Sequence, residues 1–131
     1  MEFKPGTLGG HDTTTAHFAT QVTGAVTGEP IDVNQPVELR ADGRLYKASG
    51  QGAFMGSSPR TAKTASQALT VHGIGQRFHA SDDASLTPGK TYYLGTAPGT
   101  ISDAPTANDA QGAFVAVSTR DLMVVRIGKL A

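Results

Sequence analysis

The chain has 131 residues, a length that suits one domain with a substantial buried core. Its 11 basic and 11 acidic residues balance one another and are scattered singly, which argues against a protein that binds nucleic acid or a membrane surface. The lack of cysteine excludes disulfides and thiolate metal sites and is compatible with assembly in a reducing cytoplasm. We find neither the pattern of a signal peptide nor an apolar run long enough to span a bilayer, so we expect a soluble chain without an export signal.

The first seventeen residues show neither the period of a strand nor that of a helix. They are rich in glycine and threonine and carry few apolar side chains. We therefore predict an extended N-terminal arm over residues 1–17, mobile when free, and a single β domain over residues 18–131. Phe3, Leu8 and Phe18 are spaced apolar side chains that we expect to contact a partner protein or a sister subunit. The alternative is a frayed terminus without a role.

From Phe18 onward, short segments of alternating apolar and polar residues are separated by turn residues, as is typical of an all-β domain. The Asp42-Gly43 pair lies between two such segments and predicts a tight hairpin. The segment from Leu122 to Ile127 is apolar on both faces, which predicts a strand at the centre of the core. Residues 58–66 have room for at most one helical turn. The predicted strands cover residues 18–26, 37–40, 44–48, 53–55, 69–72, 91–94, 100–101, 113–117 and 122–127.

The sequence Gln-Gly-Ala-Phe occurs at residues 51–54 and again at residues 111–114. A turn, a strand, a glycine turn, a second strand and a loop precede both copies in the same order. We therefore predict a pseudo-duplicated domain in which Phe54 and Phe114 fill matching places in the core. Gly52 and Gly112 are expected to allow close backbone approach. Matching apolar positions precede the two copies: Ile31, Val37 and Leu39 before the first, and Leu86, Tyr92 and Leu94 before the second.

No group of residues has the spacing of a catalytic or metal-binding motif. The histidines lack metal-ligand spacing, and no nucleophile elbow occurs. The segment from Gly73 to Phe78 lacks the third glycine of a dinucleotide-binding loop and favours a bend, while Tyr92 and Tyr93 point to opposite faces of a strand. The acidic loops do not match the calcium-binding loop. We therefore predict no catalytic, cofactor-binding or metal-binding residues and no enzymatic activity. The histidines and loop acids with suitable side-chain chemistry but unsuitable spacing are His11, His17, His72, His79, Asp82, Asp83, Asp103 and Asp109.

Two segments carry a family resemblance. Residues 37–48 read VELRADGRLYKA, and residues 86–101 read LTPGKTYYLGTAPGTI. Together with the closing apolar strand from Leu122, they resemble the small capsid cement (decoration) proteins of tailed bacteriophages, which share an ADG-x-x-Y-x-A turn, an L-x-P-G-x-x-Y-Y-L segment and a P-G-x-I turn. The similarity extends over residues 22–127 and leaves out the N-terminal arm.

The resemblance implies an all-β fold, either a small β-sandwich or a jelly-roll-like barrel. It also implies a structural virion protein that binds the outer surface of an icosahedral capsid and stabilises the shell, without a cofactor. The expected partners are the major capsid protein and further copies of the chain as a homodimer or homotrimer, with no nucleic acid and no membrane. The expected location is the outer capsid surface of the virion, after synthesis in the cytoplasm of the host bacterium. The neutral net charge agrees with a position outside the DNA-filled shell.

The alternative is a receptor- or carbohydrate-binding β module of a phage tail fibre or spike. Such a module is expected to cluster aromatic rings on its surface, and the chain has no tryptophan and only three tyrosines. A small enzyme is the third possibility, for which the sequence offers no site.

Overall fold

A computed structural model describes all residues from 1 to 131, and its regular secondary structure consists almost entirely of short antiparallel strands, which confirms the all-β class. The only helix is a single turn, and no helix has the length and apolar character needed to cross a membrane. The elements are β1 (Glu2–Phe3), α1 (Thr13–Ala16), β2 (Gln21–Val22), β3 (Pro36–Leu39), β4 (Leu45–Lys47), β5 (Ala53–Ser57), β6 (Val71–His72), β7 (Arg77–His79), β8 (Thr91–Leu94), β9 (Ile101–Ser102), β10 (Phe114–Ala116) and β11 (Asp121–Val124).

The strands form two sheets that repeat one topology. The smaller sheet has the order β2-β6-β5-β3-β4, and the larger sheet has the order β1-β9-β8-β10-β11-β7. In both, five strands that follow one another in sequence are arranged as first, fifth, fourth, second and third, and every neighbouring pair is antiparallel. The strand order therefore agrees with the duplicated unit predicted from the sequence, with β1 added at one edge of the larger sheet.

The correspondence between the two units extends to individual residues. Leu39 pairs with Leu45 across the hairpin of the smaller sheet, and Leu94 pairs with Ile101 across the hairpin of the larger sheet. The hairpin at Asp42-Gly43 is confirmed. A difference is found in the smaller sheet, where the register between β3 and β5 shifts after Val37.

The core is centred on three phenylalanines. Phe54 meets Phe114 edge to face with ring centroids 5.5 Å apart, and Phe114 meets Phe78 in the same way at 5.6 Å. Since Phe54 lies on the smaller sheet and the other two on the larger, this cluster joins the sheets. A second group inside the smaller sheet consists of Ile31, Val37, Leu45, Leu69 and Val71.

The close backbone approach predicted at the two glycines of the repeat is confirmed at Gly52, whereas the close neighbour of Gly112 is a side chain. A Cβ atom on Gly52 would lie 2.4 Å from the carbonyl oxygen of Leu39. Gly112 has φ of +94°, and a Cβ atom there would lie 2.3 Å from the Thr91 methyl carbon. A side chain is therefore excluded at each position, in the first by contact and in the second by contact and conformation.

The N-terminal segment, residues 1–17, differs from the expected arm. Its first strand pairs with β9 at one edge of the larger sheet, and the amides of Gly6 and Asp12 donate to the carbonyls of Ala80 and Arg77 at the opposite edge. One segment thus reaches both edges, so the sheet is curled and the segment runs across its open side. These contacts use backbone groups, which every residue has, and they leave no periodic pattern of side chains in the sequence.

Two further expectations differ in detail. The strand predicted over residues 18–26 is reduced to Gln21–Val22, and Phe18 follows the helical turn instead of packing in a strand. The strand predicted from Leu122 ends at Val124 and lies inside the larger sheet, but only its alternate residues are buried. The apolar side chains on its second face, such as Met123, remain half-buried because no sheet covers them.

Candidate functional site

Leu8 projects from a turn that is fixed at its backbone. The amides of Thr7 and Leu8 donate to the Asp82 carboxylate at 3.1 and 3.2 Å. Desolvation opposes ionisation of this carboxylate, but the Leu8 amide and His79 hold its pKa below the ordinary value. Leu8 as a whole residue is 82% exposed, so an apolar residue faces the solvent on a loop that hydrogen bonds hold in place.

Phe18 follows a capped helical turn. The Asp12 carboxylate accepts a hydrogen bond from the Thr15 amide at 2.9 Å, and the Phe18 amide donates to the Thr15 carbonyl at 3.0 Å. Phe18 as a whole residue is 86% exposed. Ile74 lies on the neighbouring loop, which is joined to this one by the Thr20 amide, and is 40% exposed.

Phe3 is placed differently from Leu8 and Phe18. Its ring is half-buried and packs edge to face on Tyr92, with centroids 6.4 Å apart. Phe3 therefore contributes to the core of its own chain. Of the three side chains predicted to contact a partner, only Leu8 and Phe18 are exposed to solvent.

An open cavity of about 520 Å³ is lined in part by residues that lie between Leu8 and Phe18 in the sequence. Its wall consists of residues 9–12 and Thr15 of the N-terminal segment, all three residues of β7, Asp121 and Met123 of β11, and Val117. Three of the lining side chains, Arg77, His79 and Asp121, pair with one another. Arg77 Nε lies 2.7 Å from an Asp121 oxygen, and His79 lies 3.6 Å from the other oxygen of Asp121.

Three polar side chains meet beneath the N-terminal segment. Nε2 of His11 lies 3.0 Å from Oγ of Ser57, and Nδ1 of His11 lies 3.0 Å from Nδ1 of His72. Burial, and next the neighbouring His72, lower the pKa of His11 to about 3. Burial also lowers the pKa of His72. Ser57 is fully buried, so its hydroxyl does not face the solvent and this array serves as a junction between elements.

A buried carboxylate, Asp109, lies beside the second copy of the repeat, although its place in an acidic loop did not predict burial. Asp109 is fully buried and accepts four backbone hydrogen bonds, which come from Leu94, Gln111, Gly112 and Ala113 at 2.7 to 3.0 Å. The signal that could have found it is an aspartate two residues before Gln-Gly, a position from which its oxygens reach the following amides.

Glu38 has the corresponding role beside the first copy. Its carboxylate accepts from the amides of Ser49 and Gly50 at 2.8 and 3.1 Å and from Nε of Arg40 at 2.7 Å. Burial opposes ionisation, but the bonds from Ser49 and Arg40 outweigh it and hold the pKa of Glu38 below its ordinary value. Both loops of the repeat are therefore folded around a buried acid.

The remaining acidic and aromatic candidates have contacts within the chain. Asp82 accepts from loop amides and His79, and Asp103 lies 3.9 Å from the Lys90 amine. Tyr92 is buried, and its hydroxyl accepts from the Thr87 amide at 3.0 Å. No three histidine or acidic side chains converge in a geometry that holds a metal ion.

Comparison of the chain with protein-family models, with curated proteins and with solved structures gave no match.

Proposed function

We propose that this protein is a structural virion protein that binds the outer surface of a bacteriophage capsid and stabilises the shell. The observation that carries the proposal is the pair of exposed apolar side chains, Leu8 and Phe18, each held on a hydrogen-bonded turn. A fixed anchor loses little conformational freedom when it enters a pocket of a partner, so more of its burial is retained as binding free energy.

The size of the binding free energy shows what two apolar anchors can contribute to binding a partner. Complete burial of one large apolar side chain contributes about 1.5–3 kcal/mol. Two of them therefore contribute a few kcal/mol per copy, which is weak alone but is multiplied when many copies bind a symmetric shell. This supports a structural, surface-binding role in which affinity comes from repetition.

The resemblance to capsid cement proteins gives the kind of partner. Its two motif segments fall on β3-β4 and on β8-β9, the two corresponding hairpins of the duplicated fold. The proposed partners are the major capsid protein and further copies of this chain as a dimer or trimer, and the proposed location is the outer capsid surface. A sandwich or jelly-roll-like topology remains a prediction.

The test is co-sedimentation of the purified protein with empty capsids of its phage, combined with light scattering of the free protein. We expect saturable binding, and we expect the double variant Leu8→Ser/Phe18→Ser to bind about tenfold more weakly or worse, the equivalent of about 1.4 kcal/mol. The matched control is Lys63→Ser, which changes an exposed residue elsewhere in the chain.

Two results would contradict these statements separately. If the folded wild-type protein shows no saturable binding, the capsid-binding function is wrong. If it binds but the double variant binds equally well, the function stands and the role of Leu8 and Phe18 is wrong. A binding signal for glycans instead of capsids would favour the tail-fibre alternative.

A further inference from the structure

The contact between His11 and His72 joins three parts of the fold. His11 belongs to the N-terminal segment where this segment pairs with Phe78 of β7. His72 and Ser57 are paired residues of β6 and β5 in the smaller sheet. The three side chains therefore hold the segment, an edge of the larger sheet and the smaller sheet together at one point.

The geometry of this contact limits how many protons it can hold. The two Nδ1 atoms are 3.0 Å apart, so one must donate a proton and the other must accept it. Either tautomer of His11 can satisfy Ser57 at the same time, because a hydroxyl both donates and accepts. A single imidazolium also fits, with its Nδ1 proton between the rings. Two imidazolium rings do not fit, since both Nδ1 atoms would carry protons and both rings would be positive.

Few other charges act on this pair. Around His11, β5 contributes Ser57, β7 contributes the ring of Phe78, and β6 contributes His72, which is the one titratable group facing it. On its own segment, the Asp12 carboxylate is turned to the Thr15 amide. Arg77 and His79, the neighbours of Phe78 on β7, line the same open cavity as His11, together with Asp121, which accepts a hydrogen bond from Arg77. Asp82 pairs with His79 and is not part of the cavity wall. No carboxylate touches either imidazole of the pair, so none compensates for a second positive charge.

We propose that the His11–His72 pair is a proton-operated latch that keeps the N-terminal segment closed over the larger sheet at neutral pH and releases it in acid. The driving force is linkage, because the released segment binds protons that the closed one excludes. His11 has a depressed pKa in the closed state, so the closed state is fully favoured above the ordinary histidine pKa of about 6.5. The free-energy preference for the closed state decreases as the pH falls below that value. The decrease is complete near pH 3, the pKa of His11 in the closed state.

The experiment is amide hydrogen exchange of the full chain at pH 7, 6 and 5, corrected for the intrinsic exchange rate. The reporters are amides that join the segment to β7, namely those of Asp12 and His79, which donate to Arg77 and Gly10. The reference is the Ile31 amide, which donates to Ala62 inside the smaller unit. From pH 7 to pH 5, we expect the opening constant at the reporters to rise about tenfold or more, with little change at the reference.

Two variants test whether this pair is responsible. His11→Gln and His72→Gln each remove one titrating ring. In each variant we expect the opening constant of the reporter amides to lose its dependence on pH or to keep about half of it, even if the protection of these amides at pH 7 also changes. His17→Gln, a change of an exposed histidine, is the control and should retain the wild-type dependence. Nitrogen-15 NMR of the imidazoles provides an independent measurement, in which His11 should stay neutral to below pH 5 in the closed state.

The latch is wrong if the wild-type reporters have the same corrected protection at pH 7 and pH 5. It is also wrong if the full pH dependence persists in both glutamine variants, because the titrating group then lies elsewhere, for example at His79. If one variant does not fold, the other variant and the imidazole titration of the wild type decide the question.

Discussion

Phe54 and Phe114, the last residues of the two Gln-Gly-Ala-Phe copies, touch each other edge to face in the core. Each lies at the same place in its own unit, on the fourth strand of the five. The two copies of the repeat therefore have a structural role together, because their phenylalanines form a contact between the two sheets.

Replacing either ring should destabilise the whole domain. For Phe54→Ala and Phe114→Ala we expect a loss of about 3–5 kcal/mol each in the free energy of unfolding, since each leaves a cavity in a closed core. Because the rings touch, the double variant should lose less than the sum of the two single losses. Urea unfolding measures these values, and Phe18→Ala, at an exposed ring, should change the free energy by less than about 0.5 kcal/mol. A variant at either core position that unfolds like the parent would contradict the shared core.

The glycines of the repeat should not tolerate a methyl group. We expect Gly52→Ala and Gly112→Ala to lower the free energy of unfolding by about 1–3 kcal/mol, through backbone contact in the first and through contact with a left-handed φ in the second. Gly10→Ala is the matched control, because a Cβ atom there meets nothing within 4 Å. Thermal unfolding of the three variants is sufficient, and equal melting temperatures for all three would refute the explanation.

The charge on Asp109 should be needed to fold the second repeat loop. Asp109→Asn keeps the shape of the side chain but directs an amide group at backbone donors, and we expect a loss of about 2–4 kcal/mol. Asp103→Asn, at a partly exposed carboxylate, should cost less than about 1 kcal/mol. Urea unfolding of both variants gives the comparison, and similar losses for the two would show that burial of the acid is unimportant.

Glu2 should titrate far below an ordinary glutamate. Hydrogen bonds from the hydroxyl and amide of Thr96, supported by Ala97, lower the pKa of Glu2 to about 2 from an ordinary value of 4.5. Because the folded pKa is depressed, this stabilisation is present above pH of about 4.5 and is lost as the pH falls toward 2. A carbon-13 NMR titration of the carboxyl group measures it directly, and Thr96→Val should move the midpoint upward. A wild-type midpoint near 4.5 would exclude these bonds in solution.

Removal of residues 1–12 should impair the fold itself. The deletion uncovers β9 at one edge of the larger sheet and β7 at the other, and it removes the core contact of Phe3 with Tyr92. We expect a loss on the order of 3 kcal/mol or more and a tendency to associate through the open edges. Urea unfolding and light scattering measure these effects. A truncated monomer as stable as the full chain would mean that the segment is only a covering.

The sequence was sufficient for features that a local chemical signal encodes. Asp42-Gly43 marked a hairpin because that pair tolerates the turn conformation, and the paired Gln-Gly-Ala-Phe copies marked the two units. Alternation also placed β8, β10 and β11 to within a few residues. These elements depend on neighbours in the chain, which a single sequence displays.

Features that depend on distant backbone groups were missed. The N-terminal segment pairs through amides and carbonyls, so its glycine and threonine content predicted a loop. The burial of Asp109 could not be predicted, because the amides that donate to it surround it only when the loop is folded. His11 and His72 had no shared spacing, and their contact arises where the N-terminal segment approaches β6, a strand from a different part of the chain.

The pairing of Glu2 and Phe3 with Ser102 and Ile101 has a consequence for biosynthesis. During translation the opening residues leave the ribosome long before the strand they pair with exists. The smaller sheet, whose strands all come from residues 21 to 72, can form while the rest is still being made. The nascent larger sheet stays incomplete until β9 and β11 emerge, and the pairings that complete it join distant parts of the chain. We therefore expect completion of this sheet to be the slow step of folding and the step most prone to misassembly in a crowded cell.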